Sequence, residues 1–382
     1  MDIDKIRKDQ FPVTQNLVYL NHAGVSPLPA RSAQKGRAHL QELLSVGAYD
    51  PHGMLAMLEM GKERFARLVG ASSDKIAFVK ATSEGLSYAA GGLAWKEGDN
   101  LLTNSRQFPS NLYPWMALEK RGVDVRMVEP EAGRVNPDKL FEAADSRTRL
   151  LTISSVEFVT GFRHDLERIG RFCRERDILF VVDAIQSLGL VPLNVMECNI
   201  DVLAAGGHKW LLGSEGIGGL YVSAHAMDRL EPIEFGWYCV RNCFDFETLD
   251  FTLDATARRY EPSIPSILLA GILSESIALL LEHGVDRVYE RVAGLVDYLA
   301  GKMDPSWQVL TPMGEAERSG IFTFVVPGID GAALHRKLHE KKIVVSPRGG
   351  GIRVSPHFYN NVADIDVLME GVKESIGELR SS

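Results

Sequence analysis

From Ile76 to Val222 the chain repeats one pattern: a short, mostly apolar run with little polar alternation, then a stretch read as helix. The runs are IAFVK, NLLTN, VDVRMVE, RLLTISS, ILFVVD, DVLAAG and GGLYV. A strand that is apolar on both faces has to be covered on both faces. That requirement fixes a mainly parallel sheet sandwiched by helices, an α/β fold. Ligands of such sheets collect beyond the carboxyl ends of the strands, so chemistry is sought in the residues that follow each run.

The flanks read differently. NLVYL is a short strand followed by the turn-rich NHAGVSPLP, and helical patterns run from about Ala30 to Leu44 and from about Leu55 to Leu68. After about Asp245 the segment becomes irregular and aromatic (EFGWYCVRNCFDFETLDF), then proline-bearing (ARRYEPSIPS). SILLAGILSESIALLLEHG reads as a long core helix. GIFTFVVPG, KIVVS and GIRVSP, with helices near 331–341 and from about Val362, suggest a smaller α+β domain. With 382 residues, two domains are expected: a large one over 21–255, and a small one built from 1–20 and 256–382.

A net charge of −8 with no basic stripe or tail argues against a nucleic-acid or anionic-membrane partner. The polar start MDIDKIRKDQ does not read as a secretory signal, and the most apolar segment is broken by Ser274, Glu275 and Ser276. A cytoplasmic location is the expectation. Cys173, Cys198, Cys239 and Cys243 form neither a disulfide framework nor a metal-ligand pattern, and no metal is expected.

Chemistry gathers at three strand ends. ILFVVD delivers Asp183, with Gln186 three residues later, and DVLAAG is followed by Gly206, Gly207, His208 and Lys209. A lysine beyond a buried strand can hold a carbonyl compound as a Schiff base, and a buried acid at the neighbouring strand end can keep a pyridine nitrogen protonated. Those are the two protein groups that pyridoxal 5′-phosphate (PLP) needs. Asp183 equally suits a turn aspartate and Lys209 a solvated loop lysine. Gln186 can hydrogen-bond a ring oxygen and His208 a phosphate. The ATSEG turn brings Thr82 and Ser83 to a helix start, where either can cap the helix and both can meet an anion, with Glu84 awkwardly close. Phe108 can stack on a planar ring. Arg353, between apolar neighbours in GIRVSP, needs an anion: either a substrate carboxylate or a structural salt bridge.

In their order, YLNHAG, KATSEG, PSNLYPW, VVDAIQS, GGHKWLLGSEGIGGLYV, ARRYEPSIPS and IRVSPHFYN resemble the class V aminotransferases. This is the fold type I PLP group that includes cysteine desulfurases and isopenicillin N epimerases, and the resemblance covers nearly the whole chain. It implies a Schiff base on Lys209, Asp183 on the pyridine nitrogen, and Gln186 on the ring oxygen. It also implies phosphate held by His208 and the Thr82–Ser83 turn, Phe108 in the stacking position, and Arg353 on the substrate α-carboxylate. A homodimer with active sites at its interface is implied too. Several positions depart from the desulfurase pattern. Gly206 stands for a phosphate-binding serine, Phe158 for an asparagine near the ring, and Ile264 for a threonine that reaches the neighbour's phosphate. No cysteine follows Cys243, so the persulfide-forming thiol is missing, and Cys239 and Cys243 read as ordinary cysteines.

The expected activity is therefore chemistry at Cα of an amino acid, with Lys209 moving the α-proton. Transamination or an epimerase-like reaction comes first. A cysteine or cystine C–S β-lyase without a persulfide cysteine is the alternative, and a non-catalytic PLP-fold binding module the rival from another class.

Overall fold

In the computed structural model, which describes residues 1–48 and 50–381, the seven apolar runs line up in one sheet. In chain order the strands are β1 (Val18–Tyr19), β2 (Ile76–Val79), β3 (Asn100–Asn104), β4 (Asp124–Val128), β5 (Thr148–Ser154), β6 (Leu179–Asp183), β7 (Val202–Gly206), β8 (Gly218–Val222), β9 (Gln308–Val309), β10 (Phe322–Val325), β11 (Ile343–Val344), β12 (Ser346–Arg348) and β13 (Gly351–Val354). The large sheet has the order β2-β8-β7-β6-β5-β3-β4. All its pairings are parallel except those of β8, which runs antiparallel to both β2 and β7.

Alternate residues of these strands feed two cores, one on each face. Leu151, Ile153, Phe180, Val182, Leu203 and Tyr221 point into one core, and Leu150, Leu179, Val181, Val202, Leu220 and Val222 into the other. Each side chain buried this way contributes roughly 1.5–3 kcal/mol, which is why the runs carry so few polar positions. The helices are α1 (Ile3–Gln10), α2 (Ala30–Val46), α3 (Pro51–Val69), α4 (Thr82–Gly92), α5 (Tyr113–Met116), α6 (Pro137–Glu142), α7 (Leu166–Glu175), α8 (Ala224–Met227), α9 (Ile267–His283), α10 (Val285–Ala300), α11 (Gly331–Glu340) and α12 (Val362–Ser381). Helices α3, α7 and α9 supply Phe65, Phe172 and Leu273 to the first core, while α4 and α5 supply Leu86 and Trp115 to the second.

A third core joins Leu20, Leu299, Phe322, Phe324, Leu338, Ile352, Val354 and Leu368. It sits under the antiparallel sheet β12-β13-β10-β9. The N-terminal strand β1 pairs in parallel with β11. Among the described residues no single helix is long and apolar enough to cross a bilayer, and α9 is largely buried, packed against α2 and α3.

Register explains how distant segments meet. Val79 of β2 and Gly206 of β7 both pair with Gly218, and Asp183 pairs with Ala204 and Ser154. Because β8 reverses direction twice over, the ends of β2, β5, β6 and β7 lie on one edge. The α4 start, Asp183 and the His208–Lys209 turn therefore arrive at the same place.

Candidate active site

The turn after β7 is held rigidly. Gly207 N–H donates to Ile217 O and Gly213 N–H to Gly207 O, both at 2.8 Å, while Leu212 N–H reaches Lys209 O at 2.9 Å. Trp210 is fully buried, its indole N–H donating to Gln186 Oε1 at 3.2 Å and its carbonyl accepting from His357 Nε2 at 3.1 Å. With Trp210 anchored inward, the preceding Lys209 faces a cavity of about 320 Å³ beyond the strand ends.

Thr82, Ser83, Phe108, Asp183, Gln186, His208, Lys209 and Arg353 all line this cavity. The structure thus brings together eight residues spread over 272 positions of the chain. A larger cleft of about 780 Å³ lies beside Arg163 and Asn194, but its acids Asp165, Glu167, Glu197 and Asp286 are exposed to water, whereas Asp183 and Arg353 are buried.

Asp183 is buried at the end of β6. One of its oxygens accepts from Ile185 N–H at 3.0 Å, so the turn role is real, but no cation is bonded to it among the described residues. Burial pushes its carboxyl up to about 6; the Ile185 N–H and Lys209 pull against that shift, and Glu157 adds to it. Burial brings Lys209 down to about 8, with Asp183 raising it and the Arg353 and Arg348 guanidinium groups lowering it. Its Nζ lies 5.6 Å from the Phe108 ring centroid and makes no ion pair among the described residues.

Arg353 is 2 % exposed and has no carboxylate partner among the described residues. Its Nη1 donates to Phe158 O at 2.8 Å, and its buried Nε has no partner. Burial first, and Arg348 second, lower it to about 9. The salt-bridge explanation for this arginine has no counterpart in the structure. Leaving a guanidinium buried and unpaired is costly, so the position is set up for an anion from outside.

The remaining groups refine the sequence reading. Helix α4 begins after Ala81 with no side-chain cap, contrary to the expectation that Thr82 or Ser83 caps it. Thr82 Oγ1 instead accepts from Gly206 N–H at 2.9 Å, tying the helix start to the end of β7. Ser83 donates to Ser110 Oγ at 2.8 Å. Glu84 turns away from the cavity, accepting from Lys80 N–H and pairing with Lys80 Nζ at 2.8 Å, which removes the objection to an anion there. Gln186 spends one N–H on Ala23 O at 3.1 Å. His208 is half-buried, and its ring makes no hydrogen bond among the described residues. A Cβ on Gly206 would lie 3.2 Å from that ring, so a serine at this position would crowd the histidine. Phe108 packs edge-on against Phe158, with centroids 5.3 Å apart.

Arg348 and Phe158 also line the cavity. Arg348 escaped the sequence reading, since an arginine in PRGG carries no periodicity; its only available signal was proximity to Arg353. The four cysteines are buried, and none lines the cavity. Cys243 accepts from Arg258 Nη1 at 2.7 Å and Cys239 donates to Gly236 O at 3.0 Å, both structural roles.

Comparison with known proteins gives the family and the fold. The Aminotransferase class-V family profile matches residues 18–368. A probable cysteine desulfurase of Methanothermobacter thermautotrophicus is 28% identical, covering 99% of each chain. The apo structure of a cysteine desulfurase from Thermococcus onnurineus superposes with a TM-score of 0.88 at 25% identity, over 97% of each chain. A variant of the protein C-DES, with glycine covalently linked to its PLP cofactor, shares the fold with a TM-score of 0.89 at 21% identity, over 96% of this chain and 98% of that one. The chain belongs to the class V aminotransferase family of PLP-dependent enzymes.

Proposed function

We infer that this enzyme removes the α-proton of an amino acid and then expels sulfur from Cβ, as a C–S β-lyase that works without a persulfide cysteine. One observation carries the reading: Lys209, Asp183 and Arg353, each buried or half-buried and each lacking a charged partner, face one cavity among the described residues. A group that is aldehyde, basic ring and dianion at once answers all of these needs except Arg353, which is left for a substrate carboxylate. Lys209 would carry PLP, Asp183 face its ring nitrogen, Gln186 its ring oxygen and Phe108 its flat face. Thr82, Ser83 and His208 would hold its phosphate.

When bound, PLP supplies an electron sink for the pair left at Cα. The protein does the rest. Arg353 grips the α-carboxylate, and Lys209 takes the α-proton as a base already lowered toward neutrality. The Cβ–S bond then breaks, sulfur leaving with the bonding pair and taking a proton. With cysteine and one water the products are pyruvate, ammonia and hydrogen sulfide. The order of preference from sequence alone, with transamination or epimerisation first, is reversed here because a relative matched over 99% of its length is named for removing sulfur from cysteine. The absence of any cysteine at the cavity disfavours a persulfide on the enzyme.

The discriminating experiment incubates the PLP-loaded enzyme with cysteine, cystine, alanine with a keto acid, and other L-amino acids, assaying pyruvate, sulfide, new amino acids and D-isomers. Pyruvate in step with sulfide supports the lyase. New amino acid in step with a consumed keto acid replaces it with a transaminase, and D-isomer alone replaces it with an epimerase. A second copy of the chain completes the working enzyme: Phe235, Phe244, Phe246, Leu249 and Phe251 lie exposed on one segment, a surface suited to a homodimer.

A further inference from the structure

A second cavity, of about 580 Å³, lies behind Phe158. Three features make it the neighbouring chamber of the Lys209 cavity. Phe158 lines both, Phe108 and Arg348 border one while the adjoining Pro109 and Gly349 border the other, and Arg353 Nη1 is bonded to Phe158 O. A substrate carboxylate held at Arg353 would therefore lie close to Phe158, the residue that the two cavities share.

Pro109, Pro130, Phe158, Val159 and Gly349 give the chamber an apolar middle. One buried charge stands in its wall. Glu157 is 5 % exposed, and its Oε1 accepts three bonds, from Asn104 Nδ2 at 2.9 Å, Gln107 Nε2 at 2.9 Å and His164 Nε2 at 2.8 Å. Its Oε2 accepts none among the described residues. The three donors fix the carboxylate's position and leave one oxygen available to the chamber. Of the chamber's other polar side chains, Thr160 donates to Gly133 O, while Ser105 and Arg106 make no bond to that oxygen among the described residues, and a half-desolvated carboxylate oxygen is best met by a charged donor.

We propose that this chamber is the subsite for the substrate side chain and that Glu157 and Phe158 select an amino acid whose side chain is long, apolar along its middle and ended by an ammonium group. Two kinds of molecule share that chemistry: an alkyl diamino acid, and a bis-amino acid bridged through sulfur. The second also carries a distal carboxylate, for which Arg106 stands exposed at the chamber rim, without a carboxylate partner among the described residues. The proposal rests on Arg353 and Lys209 acting on an amino acid as inferred above; of the two kinds only the sulfur-bridged one carries the Cβ–S bond which that reaction breaks, and the alkyl diamino acid reads binding at the same subsite without turnover.

The test is rapid-mixing spectral titration of the PLP-loaded enzyme with norleucine, lysine and cystathionine. Lysine and norleucine have nearly equal length and differ in the terminal group alone. The expected result is that lysine or cystathionine binds at least about 10-fold tighter than norleucine, the kind of gap a charged hydrogen bond gives. Glu157→Gln, which keeps an acceptor for Asn104, Gln107 and His164, should shrink that gap to about 2-fold or less. Pro130→Phe, which narrows the chamber and leaves the Glu157 carboxylate in the sequence, should weaken every long ligand and spare alanine. Arg106→Gln should weaken cystathionine alone if the sulfur-bridged class is the ligand. Norleucine binding as tightly as both lysine and cystathionine in the wild type overturns the proposal, as does a gap that survives Glu157→Gln or alanine weakening with the rest in Pro130→Phe. An enzyme that shows no visible cofactor band, or no response to any amino acid, overturns the site assignment beneath it instead.

Discussion

Two single residues decide what the cavity can do, and each makes a prediction whose sign separates function from structure. Lys209 is lowered from 10.5 to about 8 by burial. At pH 7 about a tenth of such amines are uncharged, against about one in three thousand for an ordinary lysine. Only the uncharged amine attacks an aldehyde. PLP uptake by the cofactor-free protein should therefore quicken as pH rises and level off above about 8, read from the growth of visible absorbance in stopped flow. A rate still climbing steeply at pH 10 would mean that Lys209 is an ordinary lysine. Arg353 is buried without a carboxylate, so it costs stability in the empty protein while serving a substrate. Arg353→Gln should raise KM for amino acids by roughly 30- to 100-fold, as expected for a lost charge-assisted bond, with PLP affinity little changed. The same variant should melt at a higher temperature than the wild-type apoprotein by calorimetry, whereas a structural arginine would melt lower. Asp183, Lys209 and Arg353 were legible because charged groups flanked by apolar runs demand partners. Arg348 and Glu157 were not, since their importance comes only from which loops the fold sets side by side.

At the scale of elements, what could be read depended on how many faces were buried. The central strands, covered on both sides, announce themselves as continuous apolar runs, and β5 through β8 fall where NLLTN-like segments place them. Edge strand β4 is half-exposed and carries Asp124 and Arg126, so its run VDVRMVE alternates with polar residues where the central runs do not. Helix α4 shows the opposite failure. The capping rule points to a hydroxyl, but the Thr82 hydroxyl is drawn off to Gly206 across the sheet, a long-range bond that local sequence does not encode. The proline-bearing loop after Tyr260 hid an anchor as well. Glu261 there is buried, accepting from Phe78 N–H at 2.7 Å and pairing with the equally buried Lys62 of α3 at 2.8 Å. That pair fixes the loop to both α3 and β2. Lys62→Met should destabilise the protein by about 3–5 kcal/mol in urea unfolding, because it strands a buried carboxylate. Adding Glu261→Gln should recover a good part of the loss. Equal losses in the single and double variants would show that the pair contributes packing rather than charge.

At the scale of the molecule, one surface does not suit a lone chain. Between Phe235 and Phe251, Phe246 is 72 % exposed and Leu249 wholly so, and Trp237 touches Phe244 and Phe246 in a loose aromatic cluster with water on its outer side. Soluble monomers seldom leave so many large apolar side chains together. The segment leads directly into the loop pinned by Glu261, so its position relative to the active-site sheet is fixed from one end. A symmetric partner seated here would bury the cluster, and cofactor retention then reads whether that partner also reaches the Lys209 cavity. The wild-type protein is accordingly expected to sediment at about twice its 42.2 kDa chain mass. Replacing Phe246 and Leu249 together by Glu should yield monomers, since two carboxylates per chain cannot be desolvated in an apolar contact without compensation. The monomeric variant should keep its melting transition but lose PLP on dilution faster than the dimer. A wild-type chain that sediments as a monomer and still retains its cofactor would remove the partner from the site.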